Sequence, residues 1–274
     1  GALLNGGSIA VSHTAQLAGA DTASDAVFER HGVIRVFDAE EMLAAAAAVS
    51  LMPFMTGNRV AVVTTSGGAG GWAADLLSAQ GLEVPALSAG LQQALMAHLP
   101  SYASAGNPVD TTVAAAEHQG RAMLAVIEAL ATSGEVDAVL LNMGLSARGR
   151  IEGMAPVLQP LLARSGVPVL FHSHITPTAQ NLQALAAIGA HGFPSFRACA
   201  AGLDALCRYG QCQQRFVATS PCATRNTSRA PLLDAGMFEA GVLGEAQTRE
   251  LLAHYRIPVP PSALVQDAPA ALAA

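Results

Sequence analysis

Charge is scarce in this sequence. Only 12% of its 274 residues are Asp, Glu, Lys or Arg, and no Lys/Arg run or basic stripe appears. With a formal net charge of -6 and a pI near 5.7, the chain lacks the electrostatic footprint of a nucleic-acid binder. Aromatics are only 4%, so its cores must be packed with small side chains. The four cysteines, Cys199, Cys207, Cys212 and Cys222, form no C-x-x-C pair and no set with zinc-ligand spacing. No secretory signal is visible, so reduced thiols in a cytoplasmic protein are expected, serving as packing or surface residues. Long apolar runs are missing too. The most apolar stretch, Met42 to Met55, is broken by Ser50 and Pro53 and falls short of the ~20 residues a spanning helix needs. No membrane role follows.

Hydrophobic residues make up 51% of the chain, enough for about two domains with buried cores. Without a field of cations, any anionic ligand must be held by backbone N–H groups and helix N-termini. The chain begins with Gly1 and ends in the helix-like run Ala270 to Ala274, so it reads as a piece of a longer polypeptide.

Residues 1–55 carry a loop, a helix over about Asp21 to Arg30 ended by Gly32, a short strand Val33 to Val36, and a helix capped by Asp38 that runs to about Leu51. This is too little to close a domain and resembles the end of an α/β domain. A fresh pattern starts after the Gly57-Asn58 turn. Strands are expected at Arg59–Thr65, Leu82–Leu87, Val136–Met143, Val167–Phe171 and Gly192-Phe193. Helices are expected at about Gly70–Gln80, Ala89–His98, Gln119–Thr132, Met154–Arg164, Pro177–Ile188 and Phe196–Tyr209. Gly106 to Asp110 reads as a loop rich in turn formers. Alternating strands and helices predict a parallel sheet with helices on both faces. The expected fold over 57–212 is therefore α/β, a doubly wound, flavodoxin-like domain. Residues 213–240, polar and without a period, read as a linker, and a new helix starts near Leu243.

Two features carry candidate chemistry. The loop Thr64 to Gly71 joins a strand to a helix, and its Ser66, Gly67, Gly68, Ala69 and Gly70 can form an anion nest at the positive end of that helix. Phosphate binding and a merely tight turn both remain open. The dinucleotide fingerprint fits only loosely through Gly68, Gly70 and Ala73, because Glu83 comes too early to serve the ribose. The Walker pattern fails, since no Gly-Lys-Ser/Thr follows. The second feature is His13, flanked by Ser12 and Thr14 among small residues. A neutral imidazole there is able to attack phosphorus and form a labile phosphoramidate. Read from the residues alone, a histidine bonded to a loop carbonyl is the reading to prefer. His172 and His174 follow a predicted strand, where a metal site, a polar contact at a substrate or subunit surface, and a plain loop are the alternatives. No Asp, Glu or Cys lies nearby in sequence to complete a metal site, so no metal is assigned.

Several segments together resemble one family, the NDP-forming acyl-CoA synthetases, relatives of succinyl-CoA synthetase. Ser12-His13-Thr14, Leu17-Ala18-Gly19, Asp21 and Gly32 to Val36 look like its phosphohistidine segment and following strand. Asn58 to Gly70 looks like the start of its flavodoxin-like ligase domain, and Gly106 to Asp110 like a loop of the same domain, with Asn107 and Asp110 as supporting residues. Leu251 to Pro260 is similar to the opening of its ATP-grasp domain. The resemblance implies four parts. Residues 1–55 would end a CoA-ligase flavodoxin-like subdomain, 57–212 form the ligase domain, 213–240 link, and 241–274 begin an ATP-grasp domain.

It also implies a mechanism in which a carboxylic acid, ATP and coenzyme A give an acyl-CoA through acyl phosphate, with His13 carrying the phosphoryl group. Ser12 and Thr14 would support the His13 loop. Residues Ser66 to Gly70 would be one of a pair of helix N-termini cradling phosphate. ATP/ADP and Mg2+ would bind mainly in the ATP-grasp part, and the CoA-binding and ATP-grasp partners would be needed for turnover. A homo-oligomer follows from the resemblance alone. A ligand-sensing module of a protein acetyltransferase is the alternative function, and a nucleotide-binding oxidoreductase fragment a weaker one.

Overall fold

The computed structural model describes residues 21–218, 244–259 and 265. The chain divides into two units, Gly1–Ala218 and Thr219–Ala274.

In the first unit, helix α1 (Asp21–His31) ends where expected, at Gly32 with φ 66°. Val33 N then donates to Phe28 O at 2.9 Å, closing the last turn. Val33 to Val36, expected as a strand, is not one. Among the described residues it has no neighbouring strand to complete a ladder. Helix α2 (Ala39–Leu51) starts as read, with Asp38 accepting a hydrogen bond from Glu41 N. Replacing such a cap typically costs about 1 kcal/mol.

Five parallel strands follow: β1 (Val60–Thr64), β2 (Val109–Asp110), β3 (Ala138–Asn142), β4 (Val169–His172) and β5 (Gly192–Phe193). Their order across the sheet is β2-β1-β3-β4-β5. The crossovers are made by α3 (Gly67–Ala79), α4 (Ala89–Met96), two short 3₁₀ turns, α5 (Arg121–Thr132), α6 (Arg150–Arg164) and α7 (Ala179–Ala187), and α8 (Phe196–Ala218) closes the unit. This is the flavodoxin-like order, and it defines an α/β doubly wound fold.

Alternation along the buried strands assigns the two faces. Ala61, Val63, Val139, Leu141 and Phe171 join one core with residues of α4, α5, α6 and α7. Val60, Val62, Ala138, Leu140 and Leu170 join the other, with residues of α2, α3 and α8. Helix α6 buries Ile151, Met154, Leu158 and Leu161, a spacing of three or four residues that keeps one stripe inward. Small residues do the packing on the second face. A Cβ at Gly202 of α8 would stand 3.3 Å from Ala48 Cβ and 3.5 Å from Ala44 O, so α2 and α8 approach closely there. α8 runs on to Ala218, so the first residues read as linker are helical.

The edge of β1 departs most from expectation. Leu82–Leu87 is not a strand but a single parallel bridge, Arg59 with Glu83. Pro85 removes the next ladder donor. Further along the same edge, Val109 and Asp110, expected as loop, pair with Val63 and Thr64. Between these pieces the Asn107 side chain takes the place of a strand. Its Oδ1 accepts from Val62 N at 2.9 Å, and its Nδ2 donates to Val60 O at 2.8 Å and Pro85 O at 3.1 Å.

The second unit contains one described helix, α9 (Glu245–His254), near the start expected for it. Gln247 Oε1 accepts from Gly244 N at 2.9 Å at its entrance. Among the described residues, no helix is long and apolar enough to cross a membrane.

Candidate functional site

In a sheet of this order the chain turns to opposite faces after β1 and β3, opening a crevice at their carboxyl ends. The glycine loop sits there. Helix α3 starts at Gly67, three residues earlier than the sequence predicts, so the glycines form its first turn. Ser66 is the N-cap residue, but its side chain makes no capping bond. The first-turn N–H groups of Gly67, Gly68 and Ala69 therefore lack partners within the helix and lie at its positive end. Gly67 and Gly68 are exposed, and nothing stands within 4 Å of a Cβ built at Gly68. The other two residues of the expected nest have other tasks for their N–H groups. Ser66 N donates to Thr64 Oγ1 at 3.0 Å, and Gly70 N donates to Ser66 O at 3.0 Å.

Gly70 is needed for packing instead. A Cβ there would lie 2.8 Å from Thr64 Cγ2 and 3.1 Å from Pro108 Cβ. Gly70→Ala is expected to destabilise the unit by about 1–3 kcal/mol through overpacking, measured by urea unfolding. Gly68→Ala, in open space, should cost much less in the same measurement.

A buried network fixes the loop. Thr64 Oγ1 donates to Ser66 O at 2.9 Å and accepts from Asn142 Nδ2 at 2.9 Å. Thr65 N donates to Asn142 O at 3.1 Å. Asn142 is fully buried at the end of β3. With its Nδ2 spent on Thr64, its Oδ1 is the acceptor facing His174 Nδ1 at 3.4 Å. Neither Thr64 nor Asn142 stood out as a site residue in the sequence. A polar residue ending an apolar run such as Val139-Leu140-Leu141 is the signal that marks Asn142.

Asp110 reaches the same helix terminus. Its Oδ1 accepts from Thr112 N at 3.0 Å, and its Oδ2 would lie 2.8 Å from a Cβ on Gly67. A carboxylate thus flanks one side of the terminus. Thr112 holds φ 61° and ψ 169°, a costly backbone conformation for a β-branched residue. Its buried hydroxyl has no partner among the described residues. Asn107 lies further down β1 and supports the edge, not the terminus.

His172 is part of β4 and not of a loop. Its Nδ1 lies 3.1 Å from Phe193 O, which can only accept, so Nδ1 carries the proton. Its ring lies against Phe196 at 4.2 Å between centroids. Burial pushes its pKa below the ordinary value, with the Phe193 carbonyl opposing and His174 adding to the shift. His174 is exposed. Among the described residues no group of three or more His, Cys, Asp or Glu is placed to hold a metal ion. His13, Ser12 and Thr14 lie outside the described residues.

The fold is a flavodoxin-like α/β domain with a glycine-rich helix N-terminus at its switch point, and the comparisons agree with that fold. The succinyl-CoA ligase like flavodoxin domain model matches residues 1–49, and the Ligase-CoA domain model matches residues 60–128. The acetate–CoA ligase [ADP-forming] II subunit alpha of Pyrococcus furiosus is 37% identical over 111 residues, which is 40% of this chain and 24% of that protein. The acetate–CoA ligase [ADP-forming] II of Archaeoglobus fulgidus is 29% identical over 133 residues, 48% of this chain and 20% of that one. The aligned stretches thus span about a quarter or less of these curated relatives. Among solved structures, a dinucleotide forming acetyl-coenzyme A synthetase 1 of Ca. Korarchaeum cryptofilum, in complex with phosphate and ADP, superposes with a TM-score of 0.68. That match covers 82% of this chain and 48% of the other, at 22% identity, and speaks for the fold. Together the matches support a fragment of an NDP-forming acyl-CoA synthetase.

Proposed function

We propose that this chain is the central part of an enzyme that joins a carboxylic acid to coenzyme A with ATP, releasing ADP and phosphate. The observation that carries the reading is the uncapped, exposed N-terminus of α3 at the carboxyl edge of β1. In this reading residues 1–55 bring the phosphohistidine segment, 57–212 the ligase domain, and 241–274 the opening of an ATP-grasp domain, with 213–240 between them. The CoA-binding and remaining ATP-grasp parts belong to the complete protein, and Mg2+ accompanies the nucleotide there.

The chemistry runs in three transfers. The imidazole of His13 attacks the γ-phosphorus of ATP, and ADP leaves. A carboxylate oxygen of the acid then attacks the phosphorus on His13, which frees the imidazole and forms acyl phosphate. The coenzyme A thiolate attacks the acyl carbon, and phosphate leaves as the thioester forms. The Gly67, Gly68 and Ala69 N–H groups stabilise the phosphoryl oxygens. Such fixed donors need no reorganisation as charge develops. Thr64 and Asn142 hold the turn that aims them. The direct test is ADP release by the complete natural protein. Beyond the single equivalent set free when His13 is phosphorylated, release should require both an acid and coenzyme A, and continued ADP release independent of both would overturn the reading.

Asp110 sharpens the account. Its charge opposes a phosphoryl group at the Gly67 side, so the group approaches over Gly68 and Ala69. Asp110→Asn keeps an oxygen for Thr112 N and removes the charge. A charge at a helix terminus is worth about 0.3–1 kcal/mol, so phosphate in the reverse reaction should bind about two- to fivefold more tightly, read as KM for phosphate. Weaker phosphate binding would instead mean that Asp110 contributes to catalysis by its charge.

A further inference from the structure

A cavity of about 760 Å³ opens beside the α3 terminus, between α3 and the start of α8. Its wall includes Ala69, Trp72, Leu76, Ile175, Phe196 and Arg197. Ala69 belongs both to this wall and to the first turn of α3 that the proposed reaction uses. Trp72 and Leu76 follow at three and seven residues, so they share one helix face with it. From Ala69 to Trp72 the helix rises about 4.5 Å, close to the separation of a carboxylate from the ring of an arylacetic acid. Trp72 is 62% exposed and forms a T-shaped pair with Phe196 at 5.3 Å between centroids. The buried His172 forms part of the lining, and burial pushes its pKa down. Arg197 is exposed at the rim, with no hydrogen-bond or ion-pair partner among the described residues.

We infer that this cavity receives the organic part of the acid substrate, and that the substrate class is aryl-substituted or similarly bulky apolar carboxylic acids. The inference rests on the ligase reading and names the substrate of that site. The acid's carboxylate lies at the Gly68–Ala69 end, where it meets the phosphoryl group. Its ring lies on the open face of Trp72, between Leu76 and Ile175. The cavity volume is in the range of sites for ligands of drug size, far beyond what a two-carbon acid fills. An aromatic side chain left 62% exposed offers a flat partner apolar area to cover. Arg197 attracts the anionic acid to the rim without occupying the apolar wall.

The test uses the complete natural protein and compares kcat/KM for phenylacetate and acetate. The wild type should favour phenylacetate. Trp72→Ala should reduce that preference about tenfold, chiefly through KM for phenylacetate, while Trp72→Phe keeps most of it. A wild type that favours acetate, or a preference unmoved by Trp72→Ala, overturns the inference and leaves the ligase reading standing. If neither acid supports turnover although ATP still labels His13, the substrate class is wrong. If ATP does not label His13, the ligase reading itself fails and the inference goes with it.

Discussion

Asn107→Ala should lower the stability of the sheet unit by about 2–4 kcal/mol, because it strips three hydrogen bonds from one point of the sheet. The loss is concentrated because no backbone can replace the amide. The chain touches the β1 edge at Glu83 and returns only at Val109, and Asn107 alone serves Val60 O and Val62 N between them. Both belong to fully buried residues of β1, an interior strand. Each buried group left without a partner costs about 1–3 kcal/mol. Asn107→Asp separates hydrogen bonding from size. The carboxylate still accepts from Val62 N, but it sets a negative oxygen against the carbonyls of Val60 and Pro85. It should therefore be at least as damaging as Ala. Urea unfolding of both variants checks this. A change below about 0.5 kcal/mol in both, the level of an ordinary surface substitution, would show that water replaces the side chain easily.

His13→Ala should abolish acyl-CoA formation, with kcat down about 10⁴-fold or more, as expected when the group that carries the covalent intermediate is removed. Thermal unfolding of this variant should match the wild type if the role of His13 is chemical. The pairing of lost turnover with kept stability separates a nucleophile from a structural histidine. A variant retaining a tenth of the wild-type kcat would assign His13 the plain loop role.

The sheet was legible where strands are buried on both faces. Val60 to Val63, Val139 to Leu141 and Val169 to Phe171 are apolar runs with few alternatives. The far edge, Gly192-Phe193, was legible as well, but the segments on the β1 side and before the sheet were not. Val33–Val36 and Leu82–Leu87 have strand-like composition, yet a strand also needs a partner, and Pro85 stops the second of them at one bridge. Val109-Asp110 reads as loop from its neighbours Gly106, Asn107 and Pro108, and only the fold shows that Thr64 and Val63 lie beside it. Helix α6 begins at Arg150, earlier than the Met154 start read from the sequence, and accommodates both Pro156 and Pro160.

The glycine loop was legible as a helix entrance, but its first residue was not. Gly67 and Gly68 carry poor helix propensity, and the Thr64 to Ser66 turn overrides it by fixing the N-cap. That turn depends on Asn142, which is 78 residues from Thr64 in sequence. Local patterns do not carry such a contact. The same holds for the cavity wall, where Trp72 and Phe196 meet across more than a hundred residues.

The central claim is that a phosphoryl group travels on His13. Its most direct test is incubation of the complete natural protein with γ-labelled ATP and magnesium, alongside His13→Ala. The account predicts acid-labile, base-stable label on the wild type and none on the variant. Absence of label on a wild type that binds ATP, or equal label on His13→Ala, would contradict it.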